Sequence, residues 1–423
     1  MSTQSIGKLE RATQNRVLKL FQQELGYDYL GDWVDETRTI PVEEDLLYNY
    51  LVNIKGYSET LANKAIEKFD RAVSTIGVGL YEANKEVYKL LRYGVNVREE
   101  LGEAKENVFL IDWENPLNNE FGVAEEVTFH GKHNKRPDVV IYVNGIALGV
   151  LELKRSKVSV SEGIRQNLDN QKKDFIPKFF TTIQLVMAGS DAQGLRYGTI
   201  GTTEKYYLKW KEESDRSYDY SLDKHLAQIC QKERFLELIH DFVVFDKGIK
   251  KICRPNQYFG IKAAQERVSH REGGILWHTQ GSGKSLTMVW LTKWIREHVK
   301  DSRVLIITDR EELDEQIEKT FLGVDEHIYR TKSGRDLLNT LNEKKPWLIC
   351  SLVHKFGRRS DDSDYENYVK DIRSSLPTNF QAKGDIYVFV DECHRTQSGI
   401  LHDAMKEILP DALFIGFTGT PLL

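Results

Sequence analysis

Two α/β domains in series, the second a doubly wound parallel sheet, are expected from three observations. Beyond residue 256, short apolar runs alternate with helical patterns: GILWHT, RVLIITD, WLICSL, IYVFVDE and ALFIGFTGT. Strands buried on both faces and separated by helices read this way. Between 100 and 205, strand-like runs surround one helix in a compact α/β unit. At 423 residues the chain also exceeds what one ordinary hydrophobic core organises.

The elements follow in order. Residues 9–25 place Val17, Leu18, Phe21 and Leu25 on one helix face. Further helical patterns cover about 43–54, 59–72 and 82–92, so the first hundred residues read as helical. GVAEEVTF (122–129) alternates like a strand, and RPDVVIYVNGIALGVLELKR (136–155) reads as a hairpin. SVSEGIRQNLDNQKKDF (159–175) opens on a Ser/Glu capping pattern and continues as a helix. TTIQLVMAGSD (181–191) and LRYGTIGTT (195–203) are strands ending in turn residues. Residues 206–255 are charged and mixed, with one amphipathic helix near 233–242, and read as a connector. The expected division is therefore 1–205, a 206–255 connector and 256–423.

Composition narrows the function classes. The net charge of −5 argues against a uniformly basic coat, although local basic grooves remain compatible with it. Cys230, Cys253, Cys350 and Cys393 are scattered with no Cys-x-x-Cys pair, which suits a reducing cytosol and gives no zinc signature. The N-terminus lacks an apolar signal core, and no run approaches the roughly 18 apolar residues of a membrane span. A cytoplasmic protein with no membrane partner is expected.

The polar motifs fall at the carboxyl ends of the expected parallel strands, where such sheets bind ligands. HTQGSGKSLTM (278–288) follows one strand and opens a helix. A full Gly-x4-Gly-Lys-Ser pattern would need Gly where His278 stands, but Gly281, Ser282, Gly283, Lys284 and Ser285 are intact. The glycines let backbone N–H groups close around phosphate oxygens at a helix start. Thr279 and Gly281 to Ser285 are thus expected to bind ATP, with Lys284 neutralising phosphate charge and Ser285 holding Mg²⁺. In YVFVDECHR a fully apolar strand runs into Asp391 and Glu392. Asp391 would hold the same Mg²⁺ through water, and Glu392 would polarise the attacking water.

The hairpin carries a second constellation, Asp138, Glu152 and Lys154. Glu152 and Lys154, two apart, share one strand face. A two-residue Asn144-Gly145 turn pairs Val143 with Ile146 and leaves Asp138 on the other face. A bulged three-residue turn, or an equivalent bulge elsewhere in the hairpin, brings all three together. A metal site therefore requires a bulge; without one the trio is a solvated, ion-paired rim. Grouped, Asp138 and Glu152 would hold Mg²⁺, and Lys154 would stabilise charge on a reacting phosphate. Glu43 and Glu44 are candidates for a further carboxylate.

These motifs carry a resemblance. The P-loop variant, DECH (391–394) and FTGTP (417–421) resemble motifs I, II and III of superfamily-2 helicases and translocases, over roughly 254–421. The resemblance implies a first RecA-like lobe. RPNQYFGIKAAQ resembles the adenine-reading Q motif and LIITDREELDEQ resembles motif Ia. That implies Gln257 on the base, Arg310 on a DNA phosphate, and coupling of hydrolysis to movement by His394, Thr418 and Thr420. Such motors need a second lobe with an arginine finger. A chain ending at TGTPLL is expected to bind ATP and hydrolyse it poorly. The hairpin and the helix after it resemble PD-(D/E)xK nucleases. Gln166 matches the Gln of the RecB-like Gln-x3-Tyr motif, with Asn170 where that motif has Tyr. A nuclease preceding such a motor, with ENPLNNEF (114–121) and DREELDEQ (309–316), resembles the motor (R) subunit of type I restriction-modification enzymes. The resemblance implies an ATP-dependent endonuclease and translocase of double-stranded DNA, docked on methyltransferase (M) and specificity (S) subunits. A RecB-like repair helicase-nuclease is the alternative.

Overall fold

The computed structural model describes residues 3–100, 102, 104–279, 281–308, 315, 317–319, 321, 322, 326–352, 370, 372–391 and 405–420. They form two compact units, Met1–Pro255 and Asn256–Leu423.

The first unit opens with α1 (Thr3–Gln23), β1 (Asp28–Asp32) and α2 (Glu44–Asn49), which passes into a π-helical turn. Then come α3 (Glu59–Ser74) and α4 (Leu80–Tyr93). In α3, Ser58 caps the helix by accepting from the Leu61 N–H, and Leu61, Ala65, Ile66, Phe69 and Val73 form its buried stripe. The hairpin β2 (Val95–Val97) and β3 (Glu106–Val108) leads into β4 (Phe121–Glu125), β5 (Val139–Val143) and β6 (Ile146–Lys154). The helix α5 (Val160–Asn170) crosses to β7 (Leu185–Ser190) and β8 (Gly194–Gly198). The sheet runs β1-β4-β5-β6-β7-β8. Pairs β1/β4 and β6/β7 are parallel and the others antiparallel. Val140, Tyr142, Val150 and Val186 on one sheet face pack with Ile164 of α5 and with Phe179 and Phe180.

Residues 206–255 do not form a connector. They contain α6 (Ser221–Ile229), α7 (Lys232–Asp241), β9 (Val243–Asp246) and β10 (Ile249–Ile252), all within the first unit. Leu226, Ile229, Phe235, Leu238 and Trp210 are fully buried there. The ion pairs Arg16–Asp223 (2.9 Å) and Arg234–Glu212 (2.5 Å) absorb charges that, read along the chain, suggested a solvated linker. Strand β1, also unexpected, adds an edge to the sheet through a segment that shows no clear alternation.

The second unit contains α8 (Pro255–Ser269), β11 (Gly274–Trp277), α9 (Lys284–His298), β12 (Ser302–Thr308), β13 (Tyr329–Arg330), α10 (Gly334–Leu341), β14 (Leu348–Leu352), β15 (Asp385–Asp391) and β16 (Leu413–Thr418). Every strand pair is parallel, in the order β11-β16-β15-β12-β14-β13, as a doubly wound sheet requires. Buried Arg303 ties this sheet to the surrounding loops by donating to the carbonyls of Thr340, Leu341, Pro346 and Lys383. Among the described residues, no helix is long and apolar enough to cross a membrane.

Candidate functional site

The β5–β6 hairpin turns through Asn144 (φ 51°) and Gly145 (φ 78°), both left-handed. This is the geometry a two-residue hairpin turn needs. A Cβ on Gly145 would lie 2.5 Å from the Glu43 carbonyl oxygen, so glycine is required there sterically as well. Val143 pairs with Ile146 and Tyr142 with Ala147, but the next pair is Ile141 with Gly149. Leu148 is thus an extra residue, and the hairpin is bulged in the strand rather than at the turn. The shift carries on through Val140–Val150 and Val139–Leu151, and continuing it sets Asp138 across from Glu152.

The Asp138 Oδ2 accepts a hydrogen bond from the Leu153 N–H at 2.6 Å. Glu152 is fully buried, and neither of its carboxylate oxygens has a hydrogen-bond partner. The Lys154 ammonium stands 3.8 Å from its Oε2. Burial pushes the Glu152 carboxyl well above the ordinary range, and the Asp138 charge pushes it further. Burial likewise raises Asp138, although Lys154 and the Leu153 N–H oppose this. Two facing carboxylates, of which Glu152 has both buried oxygens unpartnered, fit a divalent cation, whose demand is for oxygen ligands.

Helix α5 reaches this centre through Gly163. A Cβ there would lie 3.2 Å from the Ala188 Cβ and 3.4 Å from both the Glu152 Cβ and the Lys154 Cγ. One turn on, Gln166 lines the same cleft, about 590 Å³, as Asp138 and Lys154. Asn170 is buried with both amide atoms unpartnered and does not line the cleft.

Sequence reasoning missed the contribution of α1. The Gln14 amide donates to Glu125 Oε2 at 3.0 Å and to the Asp138 carbonyl at 3.2 Å. Glu125 also accepts from the Tyr29 hydroxyl at 2.6 Å and pairs with Arg11 at 2.7 Å. One signal was available: Gln14 stands at helical spacing from Val17, Leu18 and Phe21, a polar residue on a buried face. Glu126, which lines the cleft and pairs with Arg136 at 2.6 Å, was missed as well. Glu43 does not join the site. Its N–H donates to the Gly145 carbonyl at the turn end of the hairpin, and its carboxylate meets Arg38 at 3.1 Å. Glu44, at the start of α2, interacts with Asp70 instead.

In the second unit, Gly281 (φ 78°) and Gly283 (φ 94°) make the left-handed turns that lead into α9. Lys284, the first residue of α9, lies 3.3 Å from Asp391 Oδ1 at the end of β15. Ser285 is buried beside it, and Thr279 is exposed. Gln257 donates to the Gly283 carbonyl at 3.0 Å, so its amide braces the loop. His278 packs inside: its N–H donates to the Thr418 carbonyl at 2.9 Å and its ring Nε2 to the Asn256 carbonyl at 3.1 Å. Burial lowers the His278 pKa, which favours the neutral ring. Thr418 Oγ1 donates to the Thr420 carbonyl at 2.9 Å in a turn closing β16. The ends of β11, β15 and β16 therefore bring the glycine-rich loop, Asp391 and the Thr-Gly-Thr segment to one end of the sheet. Ser282, in the same loop, has its hydroxyl buried without a hydrogen-bond partner. Gln280, Arg310, Glu392 and His394 lie outside the described residues.

Comparison with known proteins begins the second match at the same boundary and leaves 206–255 in neither family match. Residues 7–205 match the family described as type I restriction enzyme R protein N terminus, and 256–423 match SWI2/SNF2 ATPase. The putative type I restriction enzyme MjaIXP endonuclease subunit of Methanocaldococcus jannaschii is 29% identical over 412 residues, covering 88% of this chain and 38% of that protein. The type I restriction enzyme HindI endonuclease subunit of Haemophilus influenzae is also 29% identical over 412 residues, covering 87% and 38%. The SauCOLORF180P endonuclease subunit of Staphylococcus aureus is 25% identical over 424 residues, covering 97% and 42%. Among solved structures, the Sulfolobus solfataricus SWI2/SNF2 ATPase core in complex with dsDNA aligns at a TM-score of 0.32 and 17% identity, over 44% of this chain and 34% of that one. The chain spans about two-fifths of the length of these curated relatives. With an R-protein N-terminal match followed by a SWI2/SNF2 ATPase match, the chain is similar over most of its length to the endonuclease subunits of type I restriction enzymes.

Proposed function

We propose that this chain carries the nuclease centre and the ATP-binding lobe of an enzyme that cuts double-stranded DNA while translocating it. The observation that carries the reading is the buried, unpartnered Glu152 carboxylate set across from Asp138 by the Leu148 bulge. Asp138 and Glu152 would hold Mg²⁺. When bound, the ion polarises the scissile phosphate and makes hydroxide available near neutral pH. Lys154 then stabilises charge developing on the phosphate oxygens, and Gln166 orients the strand within the cleft. On this reading the parallel-sheet unit is a first RecA-like lobe, and the hairpin with α5 is part of a PD-(D/E)xK nuclease.

In the second unit, Thr279 and the Gly281–Ser285 turn would surround ATP phosphates with backbone N–H groups. Lys284 neutralises phosphate charge, while Ser285 and Asp391 would hold the accompanying Mg²⁺. Glu392 would polarise the attacking water and Gln257 would meet the base. Arg310 would take a DNA phosphate, and His394, Thr418 and Thr420 would couple hydrolysis to movement. The working assembly would include M and S subunits in the cytoplasm, with sequence reading left to them. Cleavage and ATP turnover by the complete assembly test the reading. Glu152→Ala or Lys154→Ala should abolish cutting and leave turnover intact; loss of both together would refute separate centres.

A further inference from the structure

The segment 205–224 carries a feature that the nuclease and motor readings do not use. An open depression of about 910 Å³ is lined by Arg196, Lys205 and Lys209, among others. A second, of about 480 Å³, adjoins it at Lys209 and is lined by Lys211 and Lys224. None of these five cations is ion-paired to a carboxylate among the described residues. Of the acidic side chains lining the depressions, Glu204 pairs with Arg165 at 3.0 Å and Glu212 with Arg234 at 2.5 Å, leaving Glu213 facing three lysines. The cations also converge. His225 has its pKa pushed down to about 4, by burial first and then by the charges of Lys209, Lys224 and Arg196.

Its position suggests what it meets. Ser159, Val160 and Ser161, at the start of α5, border the larger depression. Gln166, further along the same helix, lines the cleft that holds Asp138 and Lys154. One helix therefore joins the basic surface to the candidate cutting centre. Duplex DNA carries one negative charge for about every 1.7 Å of its axis, so a backbone leaving the cleft needs a cationic track.

We propose that the surface formed by Arg196, Lys205, Lys209, Lys211 and Lys224 holds the phosphate backbone of duplex DNA beside the nuclease cleft. This rests on the nuclease reading. The contacts are to phosphates and carry no base preference.

The test is fluorescence anisotropy of the full 423-residue chain with a labelled 30-base-pair duplex, in Ca²⁺ without Mg²⁺, across a salt series. Lys205→Gln, Lys209→Gln and Lys211→Gln are combined in one variant; all three side chains are exposed, and an unchanged Tm would show intact folding. Affinity should fall about tenfold or more at low salt, and the slope of log K against log salt should flatten by about 2–3. A control neutralising Lys64 and Lys68 on α3 should leave the slope unchanged. An unaltered slope in the triple variant, or an equal loss in the control, would overturn the proposal. Lys154→Ala, assayed for cleavage by the complete assembly with Mg²⁺, separates the two readings: if the cleft is not a nuclease, cleavage survives that change whatever the salt slope of the triple variant does. Unimpaired DNA binding with lost binding of an acidic protein or of RNA would assign the surface to that partner instead and also overturn the proposal.

Discussion

Glu152 sits where ionisation is costly. Its carboxylate is fully buried, faces Asp138, and has a single ammonium 3.8 Å away. Both carboxyls are raised in the folded state, so folding takes up protons at this site. Stability from the pair is present below the ordinary carboxyl pKa of about 4 and is lost as pH rises through the folded values. A divalent cation reverses that loss. The Tm increment produced by Mg²⁺ should therefore be larger at pH 8 than at pH 5, as scanning calorimetry would read it. Glu152→Gln, which removes the charge and keeps the shape, should raise the metal-free Tm by about 2–4 °C for each kcal/mol relieved. The same change should abolish the Mg²⁺ increment. A metal-free Tm lower than the parent's would show that the ionised pair is not destabilising. At the other centre, Lys284→Ala removes the ammonium that lies between the phosphate loop and Asp391. Calorimetric titration should then show no ATP binding, with the Mg²⁺ response of Glu152 unchanged.

At the scale of elements, a hairpin and one helix build the proposed cutting centre. The strands were legible from their apolar runs, and the turn from Asn144-Gly145. The need for a one-residue shift was legible too, because Asp138 and Glu152 have the wrong parity for a regular hairpin. Its location at Leu148 was not, since any residue between the turn and Gly149 restores the same parity. Helix α5 depends on Gly163 for its approach to β6 and β7. Gly163→Leu would overpack that contact at a cost of about 1–3 kcal/mol and lift Gln166 from the cleft. Chemical denaturation should show the first unit destabilised by that amount, and the assembled enzyme should lose cleavage while still hydrolysing ATP. Wild-type cleavage in a destabilised variant would mean that Gln166 needs no such positioning. The contribution of Gln14 was largely hidden, because its partners Glu125 and the Asp138 carbonyl are more than a hundred residues away.

The whole molecule contains two compact units, each with its own sheet and core. Two cores imply two unfolding transitions. Heating in the presence of ATP should raise one of them only, and Lys284→Ala should cancel that shift without touching the other transition. A single cooperative transition responding as one to ATP would contradict the division. By itself, the amino-acid order determined the parallel sheet of the second unit, the glycine-rich turn at the carboxyl ends of its strands and which carboxylates of the first are candidates. These follow from local periodicity and from residue types that few chemistries require. Tertiary structure decided the rest: where the hairpin bulges, that α1 braces Asp138, and that 206–255 is core and basic surface rather than linker. Those features depend on contacts between residues far apart in the chain, and burial of a charged segment is set by the partners it finds, which no window of sequence contains.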